Sequence, residues 1–139
     1  NMAENIKLEI VTPEKVVADE DVQIVMAPGI LGEFGVLSGH TPFLTTLKLG
    51  SVKYRDSRGD ERRVFVSGGF AEALPGKVTI LANSAERRRD IDLERARTAL
   101  DRAKKRLASE AMDDIDYVRA RAALERALYR LQLVEGRRS

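Results

Sequence analysis

The chain has 139 residues, of which 43% are apolar and 33% are charged, so it can form one packed core and exceeds the usual charged share of about 25%. It contains no cysteine and one histidine, which excludes disulfides, thiolate metal sites and cysteine nucleophiles and leaves few arrangements for acid–base catalysis. Residues 1–84 carry 9 Lys/Arg and 11 Asp/Glu, whereas residues 85–139 carry 15 and 11, so a near-neutral first part precedes a basic one.

Three further features are excluded by pattern. No stretch approaches the roughly 18 apolar residues that a membrane-spanning helix needs, and the first residues lack the pattern of a secretory signal. No Gly-x-x-x-x-Gly-Lys-Ser/Thr sequence occurs, so a P-loop is absent. We therefore expect a soluble protein whose contact with a membrane is at most peripheral.

Residues 6–83 show the alternation of half-buried strands, interrupted by turn residues about every 8–12 positions. Ile6, Leu8 and Ile10 alternate with Lys7 and Glu9. Similar strand patterns occupy 22–26, 52–55, 63–66, 70–74 and 78–81, and the turn at 57–60 predicts a hairpin. Because no helical pattern separates these strands, the sequence predicts an antiparallel β-sandwich, or flattened barrel.

The period changes near Ala85 from two residues to the helical 3.6. Apolar residues then form two narrow stripes, the first at Leu93, Ala96, Leu100, Ala103 and Leu107 and the second at Tyr117, Ala120, Leu124, Ala127, Leu131 and Val134. The short connection predicts an antiparallel hairpin, with Asp113 or Asp114 as the second N-cap. The fold class is therefore α+β, with a sandwich at 1–84 and a two-helix hairpin at 85–139.

The predicted hairpin is thin, because each helix has a single apolar stripe and the pairing of the helices uses most of it. Isolated helix pairs of this kind are marginal, since most helical stability comes from tertiary packing. We therefore expect the hairpin to pack weakly on the sandwich and to be able to detach.

Neither the histidine nor the cluster of aspartates indicates catalysis. His40 lies in a segment rich in turn residues, and we interpret it as a turn histidine whose ring bonds a backbone group. Asp113, Asp114 and Asp116 lack the spacing and the glycine of a calcium loop, so a helix cap explains them better than a metal site. We predict no catalytic residue and no metal ligand.

The arginines of the hairpin allow two interpretations. Arg95 and Arg102 share a face of the first helix, and Arg126 and Arg130 share a face of the second. An antiparallel pairing would bring these arginines together near Asp92. Converging guanidinium groups suit a polyphosphate because each offers a planar fork of donors.

The alternative interpretation is a solvated charged face. Pairs such as Asp92–Arg95 and Asp101–Lys105 fit intrahelical ion pairing, which is common, and spacing alone favours this alternative. Nucleic-acid binding is disfavoured, because acidic residues interleave with the basic ones and the tail has two aromatic residues, so there is no stacking platform.

Several segments, taken in order, resemble the epsilon subunits of bacterial F-type ATP synthases. The resemblance extends from about Ile6 to Glu135, and it is carried by residues 32–42, 65–70, 77–82, 91–96 and 113–116. It implies a non-catalytic subunit of the rotor stalk, whose sandwich binds the gamma subunit and sits on the membrane c-ring. By position, Glu33 resembles the residue facing the c-ring, and His40 and its neighbours resemble the segment near gamma.

The resemblance also implies that the hairpin regulates ATP hydrolysis. Folded down it lies on the sandwich, and extended it reaches the catalytic head, where its basic residues meet acidic residues of the beta subunit. The segment Ile91 to Ala96 matches the motif Ile/Leu-Asp-x-x-Arg-Ala, which some members use to bind ATP in the folded state. The implied ATP contacts are Glu86, Ile91, Asp92, Arg95, Ala96, Arg102, Arg126 and Arg130.

The resemblance places the protein at the cytoplasmic face of the bacterial cell inner membrane, as a peripheral component, with ATP as a regulatory ligand and no cofactor. A stand-alone ATP-sensing module, with no affinity for gamma, is the first alternative. A nucleic-acid-binding adaptor is the second, and its binding should fall steeply with salt.

Overall fold

The computed structural model describes residues 4–109 and 111–136, and the chain divides into two compact units between Arg88 and Arg89. The predicted division between residues 84 and 85 lies four residues earlier, and the difference arises because Ala85–Arg87 still pairs with a strand of the first unit. The outermost residues of the two predicted domains, 1–3 and 137–139, lie outside the described residues. Strands followed by helices confirm the predicted α+β class.

The described part of the first unit contains nine strands. Their apolar residues alternate with polar ones, and Ile6, Leu8 and Ile10 are fully buried as the period of two predicts. The strands are β1 (Ile6–Val11), β2 (Val16–Gly29), β3 (Gly32–Val36), β4 (Phe43–Leu47), β5 (Gly50–Asp56), β6 (Glu61–Val66), β7 (Gly69–Leu74), β8 (Lys77–Ala82) and β9 (Ala85–Arg87).

The sheet closes on itself, because β1 pairs with both β2 and β8. The strand order β1–β8–β7–β4–β2 therefore returns to its start, and β5, β6 and β9 continue from β2. Closure pairs β1 on both of its edges and so removes the edge it would expose in an open sheet. The predicted flattened barrel is thus confirmed, with one addition, since β1 and β8 run parallel while the other described pairs are antiparallel.

The core lies inside this barrel. Aliphatic residues from β1, β2, β5, β6 and β8 fill it, together with the half-buried rings of Phe34 and Phe43. Strand β7 contributes the small residues Ala71 and Ala73, which are fully buried. Gly69 shows how closely β7 and β8 approach, because a Cβ there would lie 2.1 Å from the carbonyl oxygen of Leu81.

The second unit contains α1 (Leu93–Leu107) and α2 (Asp114–Glu135), and a 3-10 turn at Arg88–Asp90 precedes them. Asp92 caps α1 by accepting a hydrogen bond from the Arg95 N–H at 3.1 Å. Asp113 caps α2 in the same way through the Asp116 N–H at 2.7 Å, which confirms one of the two predicted caps. Neither helix is long and apolar enough to cross a membrane, and the described residues contain no other α-helix.

The two helices pack through small residues. Ala96 and Ala103 of α1 and Ala120 and Ala127 of α2 are buried, as the stripes predict. The second stripe is confirmed only in part, because Tyr117 is 49% exposed and Leu133, which the stripe omits, is buried, whereas Val134 is half-buried. Alanine pairs let helices approach closely but bury little area per residue, so the hairpin has a small core.

Candidate functional sites

An apolar hairpin tip projects between β2 and β3. Ile30 and Leu31 occupy the tip, and the side chain of Leu31 is 97% exposed. Gly32 adopts a φ of 136°, which favours glycine and allows the chain to turn there. Leu31 is almost fully exposed, so its side chain is not stabilised by burial within this chain. The tip is therefore a candidate contact for a partner.

Glu33 lies beside this tip, on β3, where sequence analysis placed the c-ring contact. Its carboxylate forms an ion pair with Lys53 of β5 at 3.2 Å, and the Glu33 side chain is 46% exposed. The charge of Glu33 is therefore partly balanced within the chain, whereas Leu31 has no comparable contact with its own fold. Sequence analysis missed Leu31 and Ile30, although two apolar residues between Gly29 and Gly32 were a visible signal of an exposed turn.

His40 is held by its own segment. Its Nδ1 atom contacts the carbonyl oxygen of Thr41, and its ring lies 5.0 Å from the ring of Phe43, centroid to centroid. Phe43 in turn packs edge-on against Phe34, also at 5.0 Å. The interpretation of His40 as a turn histidine bonded to the backbone is confirmed.

The outer side of β4, β7 and β8 carries an apolar sheet face, which we define as Leu44, Phe70, Leu74 and Leu81. Phe70 lies opposite Leu81, and Leu44 lies opposite Glu72, so all four side chains point to the same side of the sheet. All four are exposed, with Leu44 at 69% and Phe70 at 52%. Neighbouring exposed apolar residues often mark a site where another protein binds, so this face is a candidate interaction surface.

The sequence contained a signal for this face. In the strand Phe70-Ala71-Glu72-Ala73-Leu74, alternate side chains point to opposite faces of the sheet. Either the two alanines or the larger residues can therefore face the core. The structure places the alanines inside, because the barrel interior at β7 is already filled by aliphatic residues of neighbouring strands. The larger side chains are therefore left on the outside.

The hairpin places the predicted ATP residues along both helices. Ile91 is buried, Asp92 is the N-cap of α1, and Ala96 is buried in the helix pair. Arg95 and Arg102 are exposed on α1, and Arg126 and Arg130 are half-buried on α2. Glu86 belongs to the other unit, in β9, where it is half-buried.

The register of the hairpin is marked by Arg97, which donates to Glu135 at 2.8 Å. The end of α2 therefore lies beside the first turns of α1. At 1.5 Å per residue, Arg130 and Arg126 lie about 7 and about 13 Å along α2 from Glu135. Convergence of Arg95, Arg126 and Arg130 on a single ligand stays a prediction.

Arg102 lines an open cavity of about 530 Å³ beside α1. Its walls carry three cations and one carboxylate, since Arg102, Lys105, Arg106 and Asp101 all contribute. Asp101 pairs with Lys105 at 3.1 Å, which is the intrahelical ion pair that sequence analysis proposed. The cavity is an open groove along one helix, and its remaining positive charge favours an anion.

The described residues contain no comparable group of side chains for metal-dependent catalysis. Within residues 4–109 and 111–136, no three His, Asp or Glu side chains are grouped closely enough to hold a metal ion. The candidate contacts of this chain are instead exposed apolar surfaces on a β-barrel and a basic surface on a helical hairpin. These features define a two-part binding protein that works through its partners.

The chain belongs to the ATP synthase delta/epsilon chain family. The family's beta-sandwich domain matches residues 5–88, and its long alpha-helix domain matches residues 89–135. Members of this kind are non-catalytic stalk subunits of the ATP synthase complex, so the functions of the chain are those of ATP synthesis and ion transport. The alternative of a stand-alone ATP-sensing module is not favoured, because both halves of the chain match the family.

Curated relatives carry the name ATP synthase epsilon chain. The one from Desulfatibacillum aliphaticivorans is 64% identical over 109 residues, covering 78% of this chain and 77% of that protein. The one from Desulfosudis oleivorans is 61% identical over 108 residues, covering 78% and 81%. These identities support the predicted resemblance to bacterial epsilon subunits.

Solved structures with the same fold come from parts of mitochondrial ATP synthases. A chain of the Euglena gracilis mitochondrial enzyme, from a structure of OSCP, F1 and c-ring in rotational state 1, has a TM-score of 0.75 and 28% identity, covering 90% of this chain and 78% of that one. A chain from the central stalk and c-ring of the Tetrahymena thermophila mitochondrial enzyme has a TM-score of 0.63 and 14% identity, covering 96% and 99%. The second likeness concerns the fold alone.

Proposed function

We propose that this chain couples rotation in the central stalk of a bacterial ATP synthase and regulates ATP hydrolysis through its hairpin. The β-barrel binds the gamma subunit and rests on the c-ring, at the cytoplasmic face of the cell inner membrane. The observation that carries the proposal is that one barrel exposes both an apolar tip at Leu31 and an apolar sheet face at Phe70, because a subunit between two partners needs two docking sites.

The apolar sheet face is the proposed site for gamma. It is carried by three hydrogen-bonded strands, which suits a large protein partner. Phe70 is the proposed anchor, because aromatic side chains dominate the binding energy of interfaces. The segment containing His40 belongs to the same contact by resemblance.

The tip at Ile30 and Leu31 is the proposed site for the c-ring. It is narrow, and Glu33 lies next to it, so an apolar contact and a carboxylate can meet the polar loops of the ring together. The Glu33–Lys53 pair is exposed enough to exchange partners at little cost, since surface ion pairs contribute roughly 0–1 kcal/mol.

The hairpin is the proposed regulatory element. Its small alanine core supports a structure that can separate from its surroundings, and its arginines offer contacts either to acidic residues of the beta subunit or to ATP. The cation-lined cavity at Arg102 supports a polyphosphate ligand. ATP can favour the folded state only by as much as it binds that state better than the extended one.

Two variants test the docking sites against each other. Phe70→Thr with Leu81→Thr should weaken binding to purified gamma by about ten-fold or more, because two apolar anchors are removed. Leu31→Thr should leave gamma binding unchanged and weaken assembly on the c-ring. Each variant is the control for the other, and equal effects of both on gamma binding would contradict the assignment.

An ATP titration of the full chain by calorimetry tests the ligand. We expect saturable binding with a Kd between micromolar and millimolar, which Arg126→Ala and Arg102→Ala abolish or strongly weaken. Arg119→Ala is the matched control, because it removes an exposed arginine from α2 outside the predicted site. Absence of binding at millimolar ATP would remove ATP from the proposal and leave the docking sites untouched.

A further inference from the structure

Three side chains from distant parts of the chain meet within the barrel unit. The Tyr54 hydroxyl donates to the Glu20 carboxylate at 2.6 Å and accepts from Arg87 Nη1 at 3.2 Å. Arg87 Nη2 also lies 3.8 Å from the same Glu20 oxygen. Tyr54 is almost completely buried, so this triad closes a polar network at the rim of the apolar core.

The Tyr54 hydroxyl is a hydrogen-bond donor in this triad. Burial, followed by the hydrogen bond to Glu20, raises the pKa of Tyr54 to about 12. The phenol therefore stays protonated near neutral pH and remains a donor to the carboxylate. Arg87 supplies the balancing positive charge, which matters because a partly buried carboxylate is costly without a cation.

The strand that carries Arg87 needs such an anchor. β9 has three residues and pairs with β6 at the end of the sheet, and a strand this short gains little from its ladder. Its beginning is fixed by Ser84, whose hydroxyl donates to the Ser67 hydroxyl at 2.7 Å and whose carbonyl accepts from the Ser67 N–H at 3.1 Å. Its end is fixed by the triad.

The pairing with β6 determines which way each β9 side chain points. Arg87 lies opposite Val64, which belongs to the core, so Arg87 faces the barrel interior. Glu86 lies opposite Phe65, which is buried but lies outside the core cluster, so Glu86 is on the other face of the sheet. A shift of one residue would exchange these faces and present a cation in place of the Glu86 carboxylate.

We propose that Glu20, Tyr54 and Arg87 form a lock that holds β9 in register and thereby positions the carboxylate of Glu86. The three are positioning residues, because they act through the strand and do not touch the ligand. The importance of Glu86 rests on the proposed ATP binding, whereas the lock itself is a property of the barrel.

Hydrogen exchange of the full chain tests the lock directly. Tyr54→Phe, Glu20→Gln and Arg87→Ala should each speed exchange in the peptide covering β9 by about ten-fold, because each removes a charge-assisted hydrogen bond. Exchange in β1 and β8 should stay unchanged. Arg55→Ala is the matched control, since it removes an exposed arginine next to Tyr54 in β5. Unchanged exchange at β9 in all three variants would overturn the lock.

A pair of reversed charges separates a specific contact from a general loss of packing. Arg87→Glu should release β9, and combining it with Glu20→Arg should restore slow exchange, because a carboxylate at 87 can still accept from the Tyr54 hydroxyl. Failure of the double variant to restore slow exchange, while Tyr54→Phe also has no effect, would contradict the proposed contact.

ATP affinity tests the positioning role separately. Tyr54→Phe should weaken ATP binding several-fold, to the same degree as Glu86→Gln, and the two changes combined should weaken it no further. Fast exchange at β9 with unchanged ATP affinity would overturn positioning of Glu86 while keeping the lock. If the unmodified chain binds no ATP, the proposed ligand fails, and the exchange experiment still decides the lock.

Discussion

Arg97 and Glu135 join the two ends of the hairpin, with the guanidinium donating to the carboxylate at 2.8 Å. The same guanidinium also donates to Glu94, one turn earlier on α1, at 2.8 Å. The hydrogen bond to Glu135, followed by that to Glu94, holds the pKa of Arg97 above its ordinary value. This bridge fixes which turns of α1 and α2 lie side by side.

Removing the bridge should loosen the hairpin slightly. We expect Glu135→Gln to lower the thermal midpoint of the helical signal by a small amount, because both side chains are about half exposed. The difference from the unmodified chain should vanish in 1 M salt, where the Debye length is about 3 Å. Glu125→Gln, which affects the pair within α2 only, is the control, and a salt-independent loss would contradict an ionic origin.

Asp56 should make the stability of the barrel depend on pH. Its buried carboxylate accepts from the Asp60 and Arg58 N–H groups, both at 2.9 Å, and from Arg62. These hydrogen bonds lower the pKa of Asp56 from its ordinary value of 3.8, and the bond from the Asp60 N–H has the largest effect. A lowered carboxyl pKa stabilises the fold above the ordinary pKa, and the stabilisation is lost as pH falls through the folded value.

Urea unfolding between pH 7 and pH 3 measures this contribution. The midpoint of the unmodified chain should fall below about pH 4. Asp56→Asn should have a lower midpoint at pH 7 and a flatter pH dependence, since the amide does not titrate. Asp60→Asn removes an exposed carboxylate from the same turn, and an equal flattening by that variant would show that Asp56 is not the group responsible.

Gly69 should tolerate no side chain. Its φ is 137°, and a Cβ would lie 2.1 Å from the Leu81 carbonyl oxygen, so the backbone of β7 or β8 must move. We expect Gly69→Ala to destabilise the barrel by about 3 kcal/mol in urea unfolding. Gly76→Ala is the matched control, because nothing lies within 4 Å of its added Cβ, and its effect should be near zero or stabilising.

Asp92 can be tested for two roles with two substitutions. Asp92→Ala removes the cap of α1 and should cost about 1 kcal/mol, whereas Asp92→Asn keeps a good cap and removes the charge. Weaker ATP binding by Asp92→Asn, with unchanged helicity by circular dichroism, is the result expected for a ligand contact. Asp113→Asn at the cap of α2 should leave ATP binding unchanged, and equal weakening by both would contradict a specific role of Asp92.

Strands with a clear alternation of apolar and polar residues could be predicted from the sequence. Strands without that alternation could not. Ile6, Leu8 and Ile10 specify β1 because burial on one face repeats every two residues. The sequence does not predict β3 and β4, because Gly32, Gly35 and Gly39 interrupt the alternation there and the partner strands are β2 and β7. β9 has too few residues for any period, and its anchor at Tyr54 is 33 positions away.

Some candidate sites could likewise be predicted from the sequence, and others depend on the tertiary structure. Resemblance indicated Glu33, His40 and Arg95 because those residues occur in recognisable segments. The apolar sheet face depends on which phase of Phe70–Leu74 faces inward, and this is decided by the volume available inside the barrel. Arg97 was not singled out, because its partner Glu135 lies 38 positions away and only tertiary structure brings them together.

Closure of the barrel through β1 and β8 has a consequence for the order in which the protein forms during synthesis. Leu8 meets Val78 across the closing pair, so about 70 residues of intervening chain must leave the ribosome before the ring can form. Contacts of such high sequence separation make folding slow, whereas the hairpin forms from local contacts and can fold quickly. The nascent barrel therefore keeps the second edge of β1 unpaired until β8 emerges, and a pause in translation after β8 has left the ribosome would favour correct closure before the helices appear.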